Sequence, residues 1–398
     1  MSVKNDRLNF KETLRLNIWG NYFGFVVMGM IVVSFGSIMP YIRDTFSLTF
    51  EQGGMMLAFF SGSYLVNGMI SGFLVDKFGQ KPVLVVGNAL YVIGLTTIYF
   101  AHEPWMLYLS VVIIGTGWGF CNTTVNILVN DTSKGETKAM SLLHMSFGVG
   151  AFFIPLFFSF LLRMGFSWRH MMLFLALMSL VALLLSIKMK IRQKNTDKPQ
   201  NETNKKETSA SPKILLLYMI ILFFYVGGEN AFNGWVVSYL MTGLHKMEGF
   251  SQNILSTLWL TIILGRYMIG LLNHRIDKAK FVMIASFMAL TGMSLFILAK
   301  SEWLIFLSII CIGLSISGIY PLTMAHANRV IHGSGLATAI VISGGGLGAT
   351  IIPYVSGRIA DYYGTIAIIG TVLISWIGMS IFTVLNYFIH KEKRSNQY

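Results

Sequence analysis

The chain has 398 residues, 54% hydrophobic and only 12% charged, with a formal net charge of +13. A soluble domain carries about 25% charged residues, so this composition, with a mean hydropathy of +0.65, excludes a water-soluble globular fold and points to a polytopic membrane protein. The excess of basic residues falls in short loops between apolar segments, as orientation in a bilayer requires, and this excludes nucleic acid as the partner.

Residues 1–17 are polar and of mixed charge, with no apolar core or cleavage site beside them, so no removable signal is expected. A membrane-spanning helix needs about 20 mainly apolar residues. Runs of that kind cover 17–42, 53–75, 82–100, 105–129, 139–162, 169–189, 213–241, 251–272, 280–299, 303–327, 335–357 and 365–389. Between the sixth and seventh lies KMKIRQKNTDKPQNETNKKETSASPK, Lys-rich and poor in apolar residues, which reads as a flexible linker. The expected organisation is an all-α membrane protein of twelve transmembrane helices in two pseudo-symmetric six-helix bundles, with an amino-terminal bundle over 1–190, a linker over 191–212 and a carboxyl-terminal bundle over 213–398. Of the 30 lysines and arginines, Arg43, Arg163, Arg169, Lys246, Lys300 and Arg358 lie in one set of loops and Arg266 inside a span. The rest lie on the opposite side, which makes both termini and the linker cytoplasmic and the location the cytoplasmic (inner) membrane. Cys121 and Cys311 fall within apolar runs and are expected as free thiols.

An internal repeat supports the division. Gly148, Val149, Gly150, Ala151, Ile154 and Pro155 recur as Gly346, Leu347, Gly348, Ala349, Ile352 and Pro353, at an offset of 198 residues that also relates Gly29 to Gly227, Gly72 to Gly270, Gly115 to Gly313 and Asn130 to Asn328. Parallel repeats of this sort place a binding site near the bilayer midplane. The Gly-x-Gly-x₄-Pro runs are expected to permit close helix contact and bending.

After the second run comes a loop with Gly72, Asp76, Lys77, Gly79 and Lys81. Its spacing resembles the signature loop of the major facilitator superfamily, and the resemblance extends over the twelve runs, the two halves and the linker. It implies a conformational latch at these five residues. In the second half the equivalent run holds Gly270, His274, Arg275, Asp277 and Lys278, with His274 at the aspartate position. Three further stretches resemble the fucose/glucose–proton symporter branch: Leu142–Gly150 with His144, Tyr225 to Glu229, and Gly265 to Gly270 with Arg266. The resemblance implies sugar transport coupled to protons. The first run has no Asp or Glu, and Asn122 stands where that branch carries a carboxylate in the fourth.

Charged groups at membrane depth cost roughly 2.5–3.5 kcal/mol on insertion scales, so they usually face a bundle interior or water. Glu229, Arg266 and His326 are the candidates for proton coupling, with His144 a further ionisable group. Burial penalises a carboxylate's charge and a nearby Arg favours it, so Glu229 reads as a switching carboxylate or as one half of a permanent Glu–Arg strut. His326 reads as a proton group or as an interfacial residue bonded to a carbonyl. Trp118, Asn122 and Asn126 share one face of a helix, and Asn230, Asn233 and Trp235 surround Glu229. Amides that donate and accept, with indoles that pack on C–H surfaces, suit a hydroxyl-rich solute; the same groups could instead bond helix to helix.

No phosphate-binding Gly-Lys loop, metal-spaced Cys/His cluster or catalytic triad occurs, so neither an enzyme nor a cofactor is expected. The reading is a monomeric secondary active transporter whose partners are protons, the lipid bilayer and a small polar solute, a sugar by resemblance, moved by alternating access. A proton-antiport exporter of drugs or amphiphiles, suited by the 30 Phe and 24 Met, and a transport-inactive receptor or scaffold are the alternatives.

Overall fold

The computed structural model describes residues 2–133, 136–191, 211–272, 277–331 and 335–395. The linker, except at its edges, and His274 and Arg275 of the second-half loop lie outside the described residues.

Thirteen α-helices are present among the described residues: α1 Ser2–Thr45, α2 Phe50–Phe78, α3 Gln80–Tyr99, α4 Pro104–Thr132, α5 Thr137–Arg163, α6 Trp168–Lys188, α7 Pro212–Ser238, continued by a π-helical turn Tyr239–Gly243, α8 Glu248–Leu272, α9 Lys278–Leu298, α10 Glu302–Ile316, α11 Ile319–Val330, α12 Gly335–Tyr363 and α13 Ile366–Ser395. They contain twelve candidate membrane spans, because α10 and α11 together make one, Glu302–Val330. Helices satisfy all their backbone groups internally, the condition for crossing hydrocarbon. Their ends follow local chemistry. Pro104 and Pro212 open α4 and α7, where a missing N–H costs nothing. The Asp277 carboxylate accepts from the Lys280 amide at the start of α9, and the Ser301 hydroxyl from the Leu304 amide at the start of α10. Gly79 takes φ +85° between α2 and α3, a conformation that favours glycine. Outward faces carry large exposed apolar groups such as Phe73, Leu177, Leu271 and Ile374, as a lipid-facing surface should.

Two compact units result. The first comprises Met1–Ser34 and Phe59–Glu202, the second Phe35–Ala58 and Thr203–Tyr398. The hairpin 35–58 therefore packs with the second unit although it precedes the linker in sequence.

The sequence repeat appears as a repeated contact. In the first unit, a Cβ on Gly29 would fall on the Phe147 carbonyl oxygen and one on Gly150 on that of Val26, so α1 and α5 touch backbone to backbone. In the second, Gly348 lies against the Phe223 carbonyl and Gly227 against that of Gly348, which joins α7 to α12 in the same way. A Cβ on Gly72 meets nothing within 4 Å, so that glycine of the signature loop serves no close approach here. Asp76 and Lys77 of the same loop are exposed, with the Lys77 ammonium 5.2 Å from the Phe78 ring centre. Gln80 ties the adjacent start of α3 to α4 by donating to Asp131 at 2.9 Å.

Candidate functional site

In the first unit, α2 and α4 pack closely through small residues. A Cβ on Gly115 would fall on the Phe60 carbonyl, and one on Gly119 would lie 2.7 Å from the Gly68 nitrogen. Beside this seam the Trp118 indole is stacked against two rings of α2, Phe60 at 5.0 Å and Tyr64 at 3.9 Å between centroids. One turn along, the Asn122 amide donates to the Tyr64 hydroxyl at 3.2 Å. Asn126 donates to the Asn122 carbonyl at 2.7 Å and reaches its side-chain oxygen at 3.4 Å. The structure thus brings Trp118, Asn122 and Asn126 together, half-buried on one face, and adds Phe60 and Tyr64. Their i, i+4 spacing on α2 was the available signal.

In the second unit, the chemistry gathers at a break. The span that α10 and α11 share is interrupted between Ile316 and Ile319. A break strands carbonyls that an unbroken helix would use, and Tyr225 of α7 donates to one of them, the Ile316 oxygen, at 3.0 Å. On α8, Gly265 packs directly on the Ser317 side chain at the break, and Arg266 follows it. Glu229 lies one turn beyond Tyr225, within electrostatic reach of that hydroxyl and of Arg266. Tyr320, in the first turn after the break, shares that field. Among the described residues the ion pairs are Lys246–Glu302 and Arg358–Glu51, so Glu229 and Arg266 interact through space rather than in a contact pair. The Arg266 Nε is buried without a hydrogen-bond partner. Gly318 and Pro321 within one apolar run were the sequence signal for this break.

The two amides near Glu229 differ in what they leave open. Asn230 donates to the Val226 carbonyl at 2.9 Å. Asn233 donates to the Glu229 carbonyl at 2.8 Å and accepts from the Trp259 indole at 2.9 Å. Trp259 lies two turns before Arg266 on the same face of α8, a spacing that would have marked it.

Two expected residues stand elsewhere. Trp235 is fully buried, and its indole N–H donates to the Pro353 carbonyl at 3.1 Å. Its ring packs on Phe50 and against Gly53 of the hairpin 35–58, so its one polar atom serves packing rather than a solute. His326 is not at the break with Glu229 and Arg266. Its Nδ1 lies 2.7 Å from the Tyr218 hydroxyl, and His390 Nε2 lies 3.1 Å from the same oxygen. His144 is exposed, edge-on to Phe25 with centroids 6.0 Å apart.

The hairpin 35–58 is bound to the second unit by polar contacts at its turn. The Asp361 carboxylate, near the end of α12, accepts from the Phe50 amide at 2.7 Å and the Glu51 amide at 2.8 Å, so it caps α2. Tyr354 donates to Glu51 at 2.6 Å, Tyr41 to Glu248 at 2.9 Å, and Gln252 to the Ser37 carbonyl at 2.9 Å.

Twelve apolar spans with a repeated glycine contact and one discontinuous span are an architecture found among membrane transporters. The chain belongs to the Major Facilitator Superfamily, whose model matches residues 22–353 and 218–397. It is 23% identical to the glucose/mannose transporter GlcP of Bacillus subtilis, over 84% of this chain and 86% of that one. It is 25% identical to a glucose/galactose transporter of Brucella abortus, over 85% and 86%. Its fold matches the crystal structure of a mutant of the nucleoside transporter NupG with a TM-score of 0.77 at 14% identity, covering 94% of this chain and 98% of that one. The chain is therefore a multi-pass membrane transporter of small solutes.

Proposed function

We propose that the chain imports a sugar across the cytoplasmic (inner) membrane by proton-coupled alternating access, as a monomer with both termini cytoplasmic. Relatives named for glucose, mannose and galactose support a sugar. The stacked Trp118 with Asn122 and Asn126 offers a flat apolar face beside amide donors and acceptors, and Asn230 and Asn233 add amides near Glu229. Arg266 acts on the Glu229 charge through space, and Tyr225, one turn from that carboxylate, donates to the broken span. The signature-loop residues Gly72, Asp76, Lys77, Gly79 and Lys81 act as the latch on the cytoplasmic side, and the contacts of the hairpin 35–58 hold the opposite end.

The observation that supports proton coupling is at Glu229: the only acidic side chain of α7 lies within electrostatic reach of Arg266 and forms no ion pair with it. A permanent strut would be an ion pair. A carboxylate left one step short of pairing can exchange its proton as its surroundings change. The test uses proteoliposomes and labelled D-glucose, D-mannose and D-galactose. Glu229→Gln keeps size and hydrogen bonding but removes the titrating charge, so equilibrium exchange persists and accumulation driven by an imposed pH gradient is lost. Accumulation by Glu229→Gln at the wild-type rate overturns the coupling role.

A further inference from the structure

We infer that the solute is a sugar acid, a polyhydroxylated ring carrying one carboxylate, and that the Arg266 guanidinium binds that carboxylate beside the break between α10 and α11. The inference rests on the sugar-transport reading proposed above and narrows its solute class.

Arg266 is unsatisfied. A cation at membrane depth costs roughly 2.5–3.5 kcal/mol and is ordinarily paired or bonded to backbone carbonyls. A guanidinium has five N–H donors. Among the described residues that of Arg266 belongs to no ion pair and donates no hydrogen bond, and its Nε is buried without a partner. The side chain is half-buried, so part of the fork stays accessible. Its electrostatic neighbours are Tyr225, Glu229 and Tyr320. Glu229 is the one acid among them, and it makes no contact pair.

The backbone at the break carries the same sign. α11 starts at Ile319. The first amides of a helix have no partner within it and form the positive end of its dipole; in transporters such half-helix ends face anionic solute groups. α8 packs on this end: Gly265 lies against the Ser317 side chain, and a Cβ on Gly318 would meet Ile269. Tyr320, in the first turn of α11, lies in the field of Arg266. The guanidinium and the helix end therefore act together on an anion.

Charge and shape select the ligand. A guanidinium binds a carboxylate through two parallel hydrogen bonds, and one carboxylate neutralises it. A phosphate would bring a second negative charge with no second cation. The other basic residues of α7, α8, α10 and α11 are Lys213 and Arg329, each one residue from a helix end. Hydroxyls have partners nearby on α7: Asn230 and Asn233 each give one N–H to a backbone carbonyl and keep the other.

Glu229 makes this binding depend on pH. Ionised, it repels a carboxylate held by Arg266; protonated, it does not. Solute affinity therefore rises as pH falls, and by linkage the bound solute holds the proton on Glu229, the direction that symport requires. Tyr225 and Tyr320 are the other titratable groups in reach. The charged residues of α10, α12 and α13 stand toward helix ends, at Glu302 in the first and from Arg358 and Lys391 onward in the others.

The test is calorimetric titration of the purified protein with D-glucuronate, D-glucose and D-glucose 6-phosphate, repeated on Arg266→Gln, Arg266→Lys and Glu229→Gln. D-Glucuronate is expected to bind about tenfold or more tightly than D-glucose, the worth of a charge-assisted pair. Arg266→Gln should bring the two affinities together, and Arg266→Lys, which keeps the charge without the fork, should retain part of the difference. Wild-type affinity for D-glucuronate should rise on acidification, whereas Glu229→Gln should bind it equally well at acid and alkaline pH. The comparison of acid with neutral sugar uses the wild-type protein, so it stands even where a variant does not fold. If D-glucose binds as tightly as D-glucuronate, or the preference survives in folded Arg266→Gln, the inference is overturned and the sugar reading stands. Tighter binding of D-glucose 6-phosphate than of D-glucuronate overturns the single carboxylate. If neither the acid nor any neutral sugar binds, and proteoliposomes accumulate none of them, the sugar reading itself falls and this inference with it.

Discussion

Removal of one carboxylate should loosen the hairpin 35–58. Asp361 accepts two short backbone hydrogen bonds, from Phe50 and Glu51 at the first turn of α2. Loss of a helix cap costs about 1 kcal/mol, and loss of a negative charge at a helix N-terminus roughly 0.3–1 kcal/mol more. Asp361 is exposed, so solvent screens the second contribution. Asp361→Ala should therefore favour the undocked hairpin by about 1–2 kcal/mol, a roughly five- to thirtyfold shift in population. Asp361→Asn keeps one of the two accepting oxygens and loses the charge and the other hydrogen bond, so its shift should fall between those of wild type and alanine. The reporter is Ser37→Cys, since Ser37 is fully buried and its carbonyl accepts from Gln252. In detergent solution, with Cys121 and Cys311 replaced by alanine, maleimide should label this cysteine faster by those factors, in the order Ala above Asn above wild type. Equal labelling rates in all three proteins, at unchanged melting temperature, would refute the reasoning and leave the hairpin held by its other contacts.

Asn122→Ala should weaken sugar binding by roughly 0.5–1.5 kcal/mol, the net worth of one hydrogen bond; calorimetric titration with D-glucose checks this, and unchanged affinity would reassign Asn122 to packing with Tyr64. Gly348→Val should destabilise the second unit by about 1–3 kcal/mol through overpacking, because its Cβ falls on the Phe223 carbonyl, whereas Gly72→Ala, with nothing in reach, should leave the melting temperature unchanged. Tyr225→Phe removes the donor to the Ile316 carbonyl and leaves a buried acceptor unsatisfied, at a cost of about 1–3 kcal/mol, read as a lowered melting temperature; no change would mean that water replaces the hydroxyl at the break.

The fold was legible because a bilayer imposes a single strong rule. Each apolar run had to become a helix, and those between Trp19–Thr45 and Ile366–Lys391 did. The glycine repeat was legible for a related reason: Gly150 and Gly348 stand where only a missing side chain lets two backbones touch. The broken tenth span was not visible in hydropathy, since its sequence is apolar on both sides of Ser317 and Gly318. The place of residues 35–58 was also hidden. The bond from Asp361 to Phe50 spans 311 residues, and no local pattern marks such a partner.

The site was half legible for the same physical reason. A charge at membrane depth is rare enough to be noticed singly, so Glu229 and Arg266 stood out. Aromatic residues are common in a lipid-facing chain, so Trp235 and Trp118 could not be told apart by type. Only neighbours separate them: Trp235 spends its N–H on Pro353 inside the packing of the hairpin 35–58, while Trp118 is half-buried and stacked with the rings of Phe60 and Tyr64. The same logic explains the tyrosines. Tyr218 and Tyr225 look alike in sequence, seven residues apart, yet one hydroxyl meets two imidazoles and the other a stranded carbonyl beside Glu229.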